Sequence, residues 1–256
     1  MPLKSVTILN VGSTGGDTMR ALVTSMTITI LAALASVAQA ENIEIGYRPG
    51  AGSPVMCTAA LPGPVTCPNV AGPPFTITEL QANSNSPGTT GLSELTSDTL
   101  DLKNVSGSTQ TLQIAISAND FTEPTGTPIE FLSSIGGTVV TGGPGSGLTF
   151  GSCLDPGNSL NTQFVFQCNS KPGVILSGVS TPFIGNPGAF ADSKTSTLLS
   201  LTKPFSINQN LLVTLPPGGE INFSASTKLT VIPEPSSMLL LGSGVLGLAQ
   251  VLRRKR

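Results

Sequence analysis

The chain has 256 residues, with twelve Lys and Arg against fourteen Asp and Glu, and it has no His and no Trp. Histidine general-base catalysis and histidine metal sites are therefore excluded, and Tyr47 and ten Phe are the whole aromatic complement. Charged residues make up only 10% of the chain, so solubility must come from Ser, Thr, Asn and Gln.

In chain order, the first element is an apolar, small-residue run from Leu22 to Ala40 that follows Arg20 and ends in Ala38-Gln39-Ala40. A positive n-region, a short apolar core and a small-x-small ending form a secretory signal peptide, with cleavage by signal peptidase at the Ala38/Ala40 site and a mature start at Glu41. Residues 1–18 contain Gly12, Gly15, Gly16 and Asp17 and no cation cluster, which points to translation from Met19; the alternative is an extended n-region. Residues 1–40 are therefore set aside from the fold.

The exported segment, Glu41–Ile232, is long enough for one large β domain with a sizeable core. Six of the twelve cations and two of the fourteen acids lie outside it, which leaves six positive and twelve negative charges, a net charge of −6. Such a surface does not suit a nucleic acid. Ile43 and Ile45 mark a first strand, followed by a Pro- and Gly-rich loop. Thr99–Lys103 and Thr111–Ser117 alternate, which predicts Leu100, Leu102, Leu112, Ile114 and Ile116 on one buried face, with Asn104–Ser108 as a hairpin loop. Gly136–Gly151 reads as a glycine-rich connection, and Gln163–Gln167 as a strand. Leu211–Leu215 and Glu220–Ser224 flank Pro216-Pro217-Gly218-Gly219 as a second hairpin, and Thr227–Val231 follows as a further strand. Short strands, frequent turns and no sustained 3.6-residue period predict an all-β, antiparallel β-sandwich of jelly-roll or Ig-like type.

Four cysteines in an exported chain point to two disulfides. Three connectivities are possible. Cys57–Cys67 and Cys153–Cys168 are favoured because each pair brackets a short, turn-rich segment. Spacings of ten and fifteen do not make the close cysteine pairs of a zinc site, so no metal and no cofactor are expected.

Catalytic candidates are thin. Asp98 and Asp101, three apart, fall on opposite sides of a regular strand, with Glu94 in the preceding turn. Asp120 and Glu123 lack the alternating oxygen ligands of a calcium loop. Asn104-Val105-Ser106 and Asn222-Phe223-Ser224 have the form of glycosylation sequons. No catalytic residue is assigned, and the chain is expected not to be an enzyme.

The tail reads Pro233-Glu234-Pro235, an uncharged apolar run from Ser236 to Leu252, then Arg253-Arg254-Lys255-Arg256. As a helix that run reaches roughly 25 Å, slightly under a hydrocarbon core of about 30 Å, and snorkelling arginines close the gap. The terminal cations stay cytoplasmic, which leaves the bulk of the chain outside.

This tripartite tail resembles the PEP-CTERM sorting signal of exopolysaccharide-producing Gram-negative bacteria. The resemblance is carried by Val231–Ser237 and the basic end and covers about residues 231–256. It implies recognition and cleavage near the triplet by a membrane protease of the exosortase type, where an ordinary anchor would stay uncut. The resulting expectation is a non-enzymatic exported protein. It is anchored in the inner membrane before processing, then placed at the outer surface or in the extracellular matrix with exopolysaccharide. A carbohydrate-binding or adhesive module is the alternative, which a glycan array would separate. A carboxylate-dependent hydrolase is a third reading, which a carboxylate-to-amide scan would find.

Overall fold

The computed structural model describes residues 42–61, 63–68, 73–160, 175–181 and 185–233. The strands are β1 (Asn42–Pro49), β2 (Val55–Ala60), β3 (Val65–Cys67), β4 (Phe75–Thr76), β5 (Glu79–Ser84), β6 (Leu92–Asn104), β7 (Gln110–Phe121), β8 (Ile129–Thr141), β9 (Gly147–Asp155), β10 (Ile175–Ser180), β11 (Gly188–Leu198), β12 (Phe205–Leu215) and β13 (Glu220–Val231). They build two sheets, β10-β9-β12-β7-β1-β2 and β11-β8-β13-β6-β5-β3, with β4 added to β6, and the named strand pairs are antiparallel.

The pairing is nested. Strand β6 lies beside β13, β7 beside β12, β8 beside β11 and β9 beside β10, and successive pairs alternate between the sheets. That is one long antiparallel ribbon rolled around a core, so the sandwich is a jelly roll rather than an Ig-like fold. Strands β1 and β2 extend the sheet that contains β7, and β5 and β3 extend the sheet that contains β6.

This winding corrects both expected hairpins. Strands β6 and β7 belong to opposite sheets, as do β12 and β13, so Val105–Thr109 and Pro216–Gly219 bridge the sandwich instead of closing a ladder. A Gly-containing turn between two alternating runs looks the same in both arrangements, and burial of both inner faces selects the crossing. Leu211, Val213 and Leu215 do face Ile221, Phe223 and Ala225, but across the core. Asn104 joins the two bridges: its Nδ2 donates to the carbonyls of Leu215 and Ser108 at 2.8 Å each and of Pro216 at 3.0 Å. Asn104 is fully buried, so this sequon offers no acceptor. Thr227–Val231 is the second half of β13 and not a strand of its own, and Gly136 and Gly137 lie inside β8, so only residues 142–146 connect β8 to β9.

The expected alternation puts Leu112, Ile114 and Ile116 in the core in β7, where Ala115 and Ser117 on the other face are buried as well. In β6 it fails at one place. Leu102 is buried but Leu100 is 48% exposed. The register slips between Ile221 opposite Leu102 and Phe223 opposite Thr99, and Asp101 adopts φ 48°. A bulge there inserts one extra residue and turns Leu100 to solvent. The Asn222 side chain accepts from the Asp101 N–H at 2.6 Å and holds the bulge in place.

A polar layer crosses the middle of the apolar core. Gln209 of β12 accepts from Ser97 Oγ at 2.7 Å and donates through Nε2 to the Leu95 carbonyl at 2.8 Å and to Thr227 Oγ1 at 3.0 Å. Thr227 meets Ser152 Oγ at 2.6 Å, and Ser152 meets Ser133 Oγ at 2.7 Å. Ser97, Ser133, Ser152, Gln209 and Thr227 are all buried and alternate between the sheets. The outer face of the β6 sheet carries directly opposed pairs, Lys103–Glu220 and Lys228–Glu94, each at 3.0 Å.

Gly137 sits where β8 meets β13. A Cβ at this position would lie 2.1 Å from the Asn222 carbonyl oxygen and 2.8 Å from Phe223 Cα, while at Gly136 the nearest atom is 3.5 Å away. Gly137→Ala is therefore expected to lower stability by more than about 2 kcal/mol, with Gly136→Ala within about 1 kcal/mol of the parent. Urea unfolding of the two variants checks the contrast.

Candidate functional site

The sorting tail leaves the sandwich from the end of β13, an interior strand held on both sides. Thr230 pairs with Leu92 of β6 and Val231 with Ile129 of β8. One residue further, the Ile232 N–H donates to the Pro128 carbonyl at 2.8 Å. Pro233, which follows, is exposed. No spacer separates the last strand from the triplet.

The rim around this exit is tied down by hydrogen bonds. The N–H groups of Thr122 and Glu123 both donate to the Pro87 carbonyl at 3.1 Å, and Lys203 Nζ donates to the Pro124 carbonyl at 2.7 Å. Ser93 Oγ donates to the Glu123 carbonyl. Gly126, at φ 111°, lies against Val231: a Cβ there would stand 3.4 Å from Val231 Cγ1. The chain thus folds to a defined edge at Ile232.

Of the remaining sorting residues, Glu234, Pro235 and the basic Arg253, Arg254, Lys255 and Arg256 lie outside the described residues, as do the apolar run from Ser236 to Leu252 and the signal-peptidase site at Ala38 and Ala40. The expected strand Gln163–Gln167 lies outside them too.

The Cys57–Cys67 bridge is present, with a Cα–Cα distance of 5.5 Å. It joins β2 and β3, which close the same edge of the two sheets. Cys153 of β9 is disulfide-bonded as well, and Cys168 lies outside the described residues.

The structure places the candidate carboxylates as follows. The β6 bulge places both Asp98 and Asp101 on the outer face, which corrects their expected placement on opposite sides. Glu94 lies within β6 rather than in a preceding turn, and it is engaged by Lys228 at 3.0 Å and by Ser226 Oγ at 3.2 Å. Asp120 accepts from Asn158 Nδ2 at 2.6 Å, and the Asp120 N–H returns a bond to Asn158 Oδ1 at 2.8 Å, so this carboxylate braces a loop. Glu123 points one carboxylate oxygen into buried space without a hydrogen bond. Tyr47 lies in the core, where burial pushes its hydroxyl pKa up.

A shallow groove of about 360 Å³ runs over the outer face of β6, β13 and β8, lined by Asp98, Leu100, Thr138, Asn222 and Ser224 above Gly136 and Gly137. A neighbouring depression of about 490 Å³ shares Gly136 and continues to Asp192 and Ser193 of β11. Carboxylate, amide and hydroxyl groups beside one exposed leucine form a surface able to hydrogen-bond a polyol. Alternation does not reveal it, because the bulge that exposes Leu100 and Asp101 has no sequence signal beyond an aspartate.

No curated protein matches the chain. Among solved structures, it is similar to TmCBM61 in complex with β-1,4-galactotriose, at 4% identity over 60% of this chain and 88% of that one, with a TM-score of 0.23. It is also similar to TmCBM27, a carbohydrate-binding module described with specific mannan recognition, at 10% identity over 67% of this chain and 100% of that one, with a TM-score of 0.27. Likeness at these scores carries nothing about a ligand, and the β-sandwich assignment rests on the strand pairing itself. Residues 231–256 match the family described as the PEP-CTERM protein-sorting motif, beginning on the last residue of β13. An antiparallel β-sandwich that runs without a spacer into this signal is a PEP-CTERM sorting domain-containing exported protein.

Proposed function

We propose that the chain is a non-enzymatic protein of the cell envelope or extracellular matrix, delivered by its tail and held there with exopolysaccharide. Signal peptidase cuts after Ala40, the apolar run from Ser236 to Leu252 anchors the precursor, and an exosortase-type protease reads Pro233-Glu234-Pro235. The observation that carries this reading is the position of the sorting motif. It begins where β13 ends, so the whole sandwich is cargo for the signal. The two prolines keep the segment out of helix, and Glu234 is the one charge available there for specific recognition.

Glu234→Ala is therefore expected to leave membrane insertion intact and to abolish maturation. The measurement is a size comparison of parent and variant in a host with the matching protease. Equal maturation of both forms would show that the triplet is not an address.

A second reading, a carbohydrate-binding or adhesive module, is supported by the groove over β6, β13 and β8 with Asp98, Asn222 and Ser224 along it. Among the described residues no aromatic side chain is exposed to stack on a sugar ring: Phe75, Phe121, Phe131, Phe150, Phe205 and Phe223 are core and Phe190 packs against it. A glycan array separates the two readings.

A further inference from the structure

Among the described residues the two sheets end on β10, β2, β11 and β3. Three of these edges are blunted. β3 has three residues, and β2 is tied to it by the Cys57–Cys67 bridge. β10 is broken by a register shift between Leu176 and Val179. The fourth edge, β11, is different. It pairs with β8 residue for residue from Gly188 to Leu198 without a shift, and it contains no proline. Among the described residues β8 is its one sheet neighbour. Ala189, Ala191, Ser193, Thr195 and Thr197 are short side chains exposed along its outer face. An edge strand offers unpaired backbone N–H and C=O groups to a further strand, and a long, regular edge is a template for pairing.

Two charges decide what fits this edge. Asp192 and Lys194 are the only charged residues of β11, and Lys194 Nζ stands 3.7 Å from Asp192 Oδ1. They share the core-side face of the strand with Phe190 and Leu198, which pack on the core. A foreign strand without matching charges would set this pair against neutral groups at the rim. A second copy of the chain, laid antiparallel, supplies the match. A two-fold axis through Ser193 puts Asp192 opposite the second copy's Lys194, and Lys194 opposite its Asp192. The same axis sets Gly188 opposite Leu198, so the whole of β11 overlaps. For the sheets to continue, core-side residues must meet core-side residues, so other registers move the axis by whole residues. An axis on Asp192 or on Lys194 sets like charges directly opposite, which is destabilising. Only the axis through Ser193 gives both full overlap and opposed charges. We infer that β11 is a homodimer interface, through which two copies join their seven-stranded sheets into one continuous antiparallel sheet. The depression bounded by Gly136, Ala191 and Ser193 then lies beside its copy across the axis.

The test uses the full chain in mild detergent and has two arms. Ser193→Cys sets two thiols directly opposite each other across the axis. Facing residues of antiparallel strands have Cα atoms roughly 4.5–5.5 Å apart, which suits a disulfide. Mild oxidation is expected to turn most of this variant into a covalent dimer on a non-reducing gel. Ala189→Cys, whose side chain faces the second copy's Thr197, is expected to give at least about tenfold less. Equal cross-linking of the two variants, or of neither, overturns the inference. In the second arm, light scattering reads the mass of charge-reversed chains. The parent is expected as a dimer. Asp192→Lys alone and Lys194→Asp alone are each expected as monomers, because each sets like charges opposite. An equimolar mixture of the two is expected as a dimer again, because every opposed pair is then of opposite sign. A monomeric parent, single reversals that stay dimeric, or a mixture that stays monomeric each overturns the inference. Association through any other part of the chain would leave the single reversals dimeric and is excluded by the same readout.

Discussion

Gln209→Ala is expected to destabilise the sandwich by on the order of 4 kcal/mol, a large share of the roughly 5–15 kcal/mol that a domain has. Gln209 is fully buried on the core side of β12, between Ile207 and Leu211, and its amide reaches the opposite sheet at three points. Truncation removes a donor from the Leu95 carbonyl and from Thr227, removes the acceptor of the Ser97 hydroxyl, and leaves a void among close-packed side chains. Each buried polar group left without a partner costs about 1–3 kcal/mol. The layer as a whole has a different expectation. Replacing Gln209 with Leu together with Ser97→Ala and Thr227→Val removes the side-chain partners together and leaves only the Leu95 carbonyl without its donor, while Ser152 still has Ser133 at 2.7 Å. That triple variant is expected to lose less than the single one, about 1–3 kcal/mol relative to the parent. Urea denaturation of the single and triple variants measures both. If the triple variant loses as much as the single one, the cost lies in packing and not in unmet hydrogen bonds.

The strands are legible where one face is apolar and the other polar. In Thr111–Ser117 the apolar positions Leu112, Ile114 and Ile116 are the buried ones as read, while the burial of Ala115 and Ser117 on the other face has no sign in the alternation. Legibility ends where the backbone departs from regular pleating or where a polar residue points inward. The Asp101 bulge shifts Leu100 to solvent, and nothing in Leu100-Asp101-Leu102 distinguishes this from simple alternation. Gln209 lies in phase with Ile207 and Leu211, yet a lone glutamine in an apolar series gives no sign of its partners on the facing sheet, Ser97 of β6, which is 112 residues away, and Thr227 of the following strand β13. The connections hide for a related reason. Pro216-Pro217-Gly218-Gly219 is turn chemistry, and turn chemistry fixes a reversal without saying whether the chain returns to its own sheet or crosses to the facing one. The decision is made by Asn104 and the inner apolar faces, through contacts of long sequence separation.

The sorting tail is legible because its information is local. Proline and glutamate in a triplet, an uncharged run and a basic end act through their order in the chain, and a family match follows from that order alone. The absence of a spacer between this signal and the sandwich is not local. It depends on β13 lying between β8 and β6 up to Val231, which is a property of the roll. The outer groove is likewise built from β6, β13 and β8, with no one segment carrying its signature.

Loss of the Cys57–Cys67 bridge is expected to cost about 3 kcal/mol on chain-entropy grounds, less than a bridge closing a longer loop would. The location of the bridge sets how that loss should appear. Cys57 is on β2 and Cys67 on β3, at the same open edge of the two sheets, so the bond ties one sheet to the other at that edge. The jelly roll from β6 to β13 closes without them. Cys57→Ser with Cys67→Ser is therefore expected to lower the urea midpoint while the core strands keep their protection, and to open the added edge first. Amide hydrogen exchange reads this directly. Faster exchange should be confined to Val55–Cys67, with β7, β12 and β13 close to the parent. The same double substitution should sharply raise proteolytic nicking between Leu61 and Pro64, a turn bounded by the two edge strands. Uniform acceleration across β7, β12 and β13 would instead mean that the edge strands and the roll unfold as one unit, and that the bridge stabilises the whole sandwich rather than its rim.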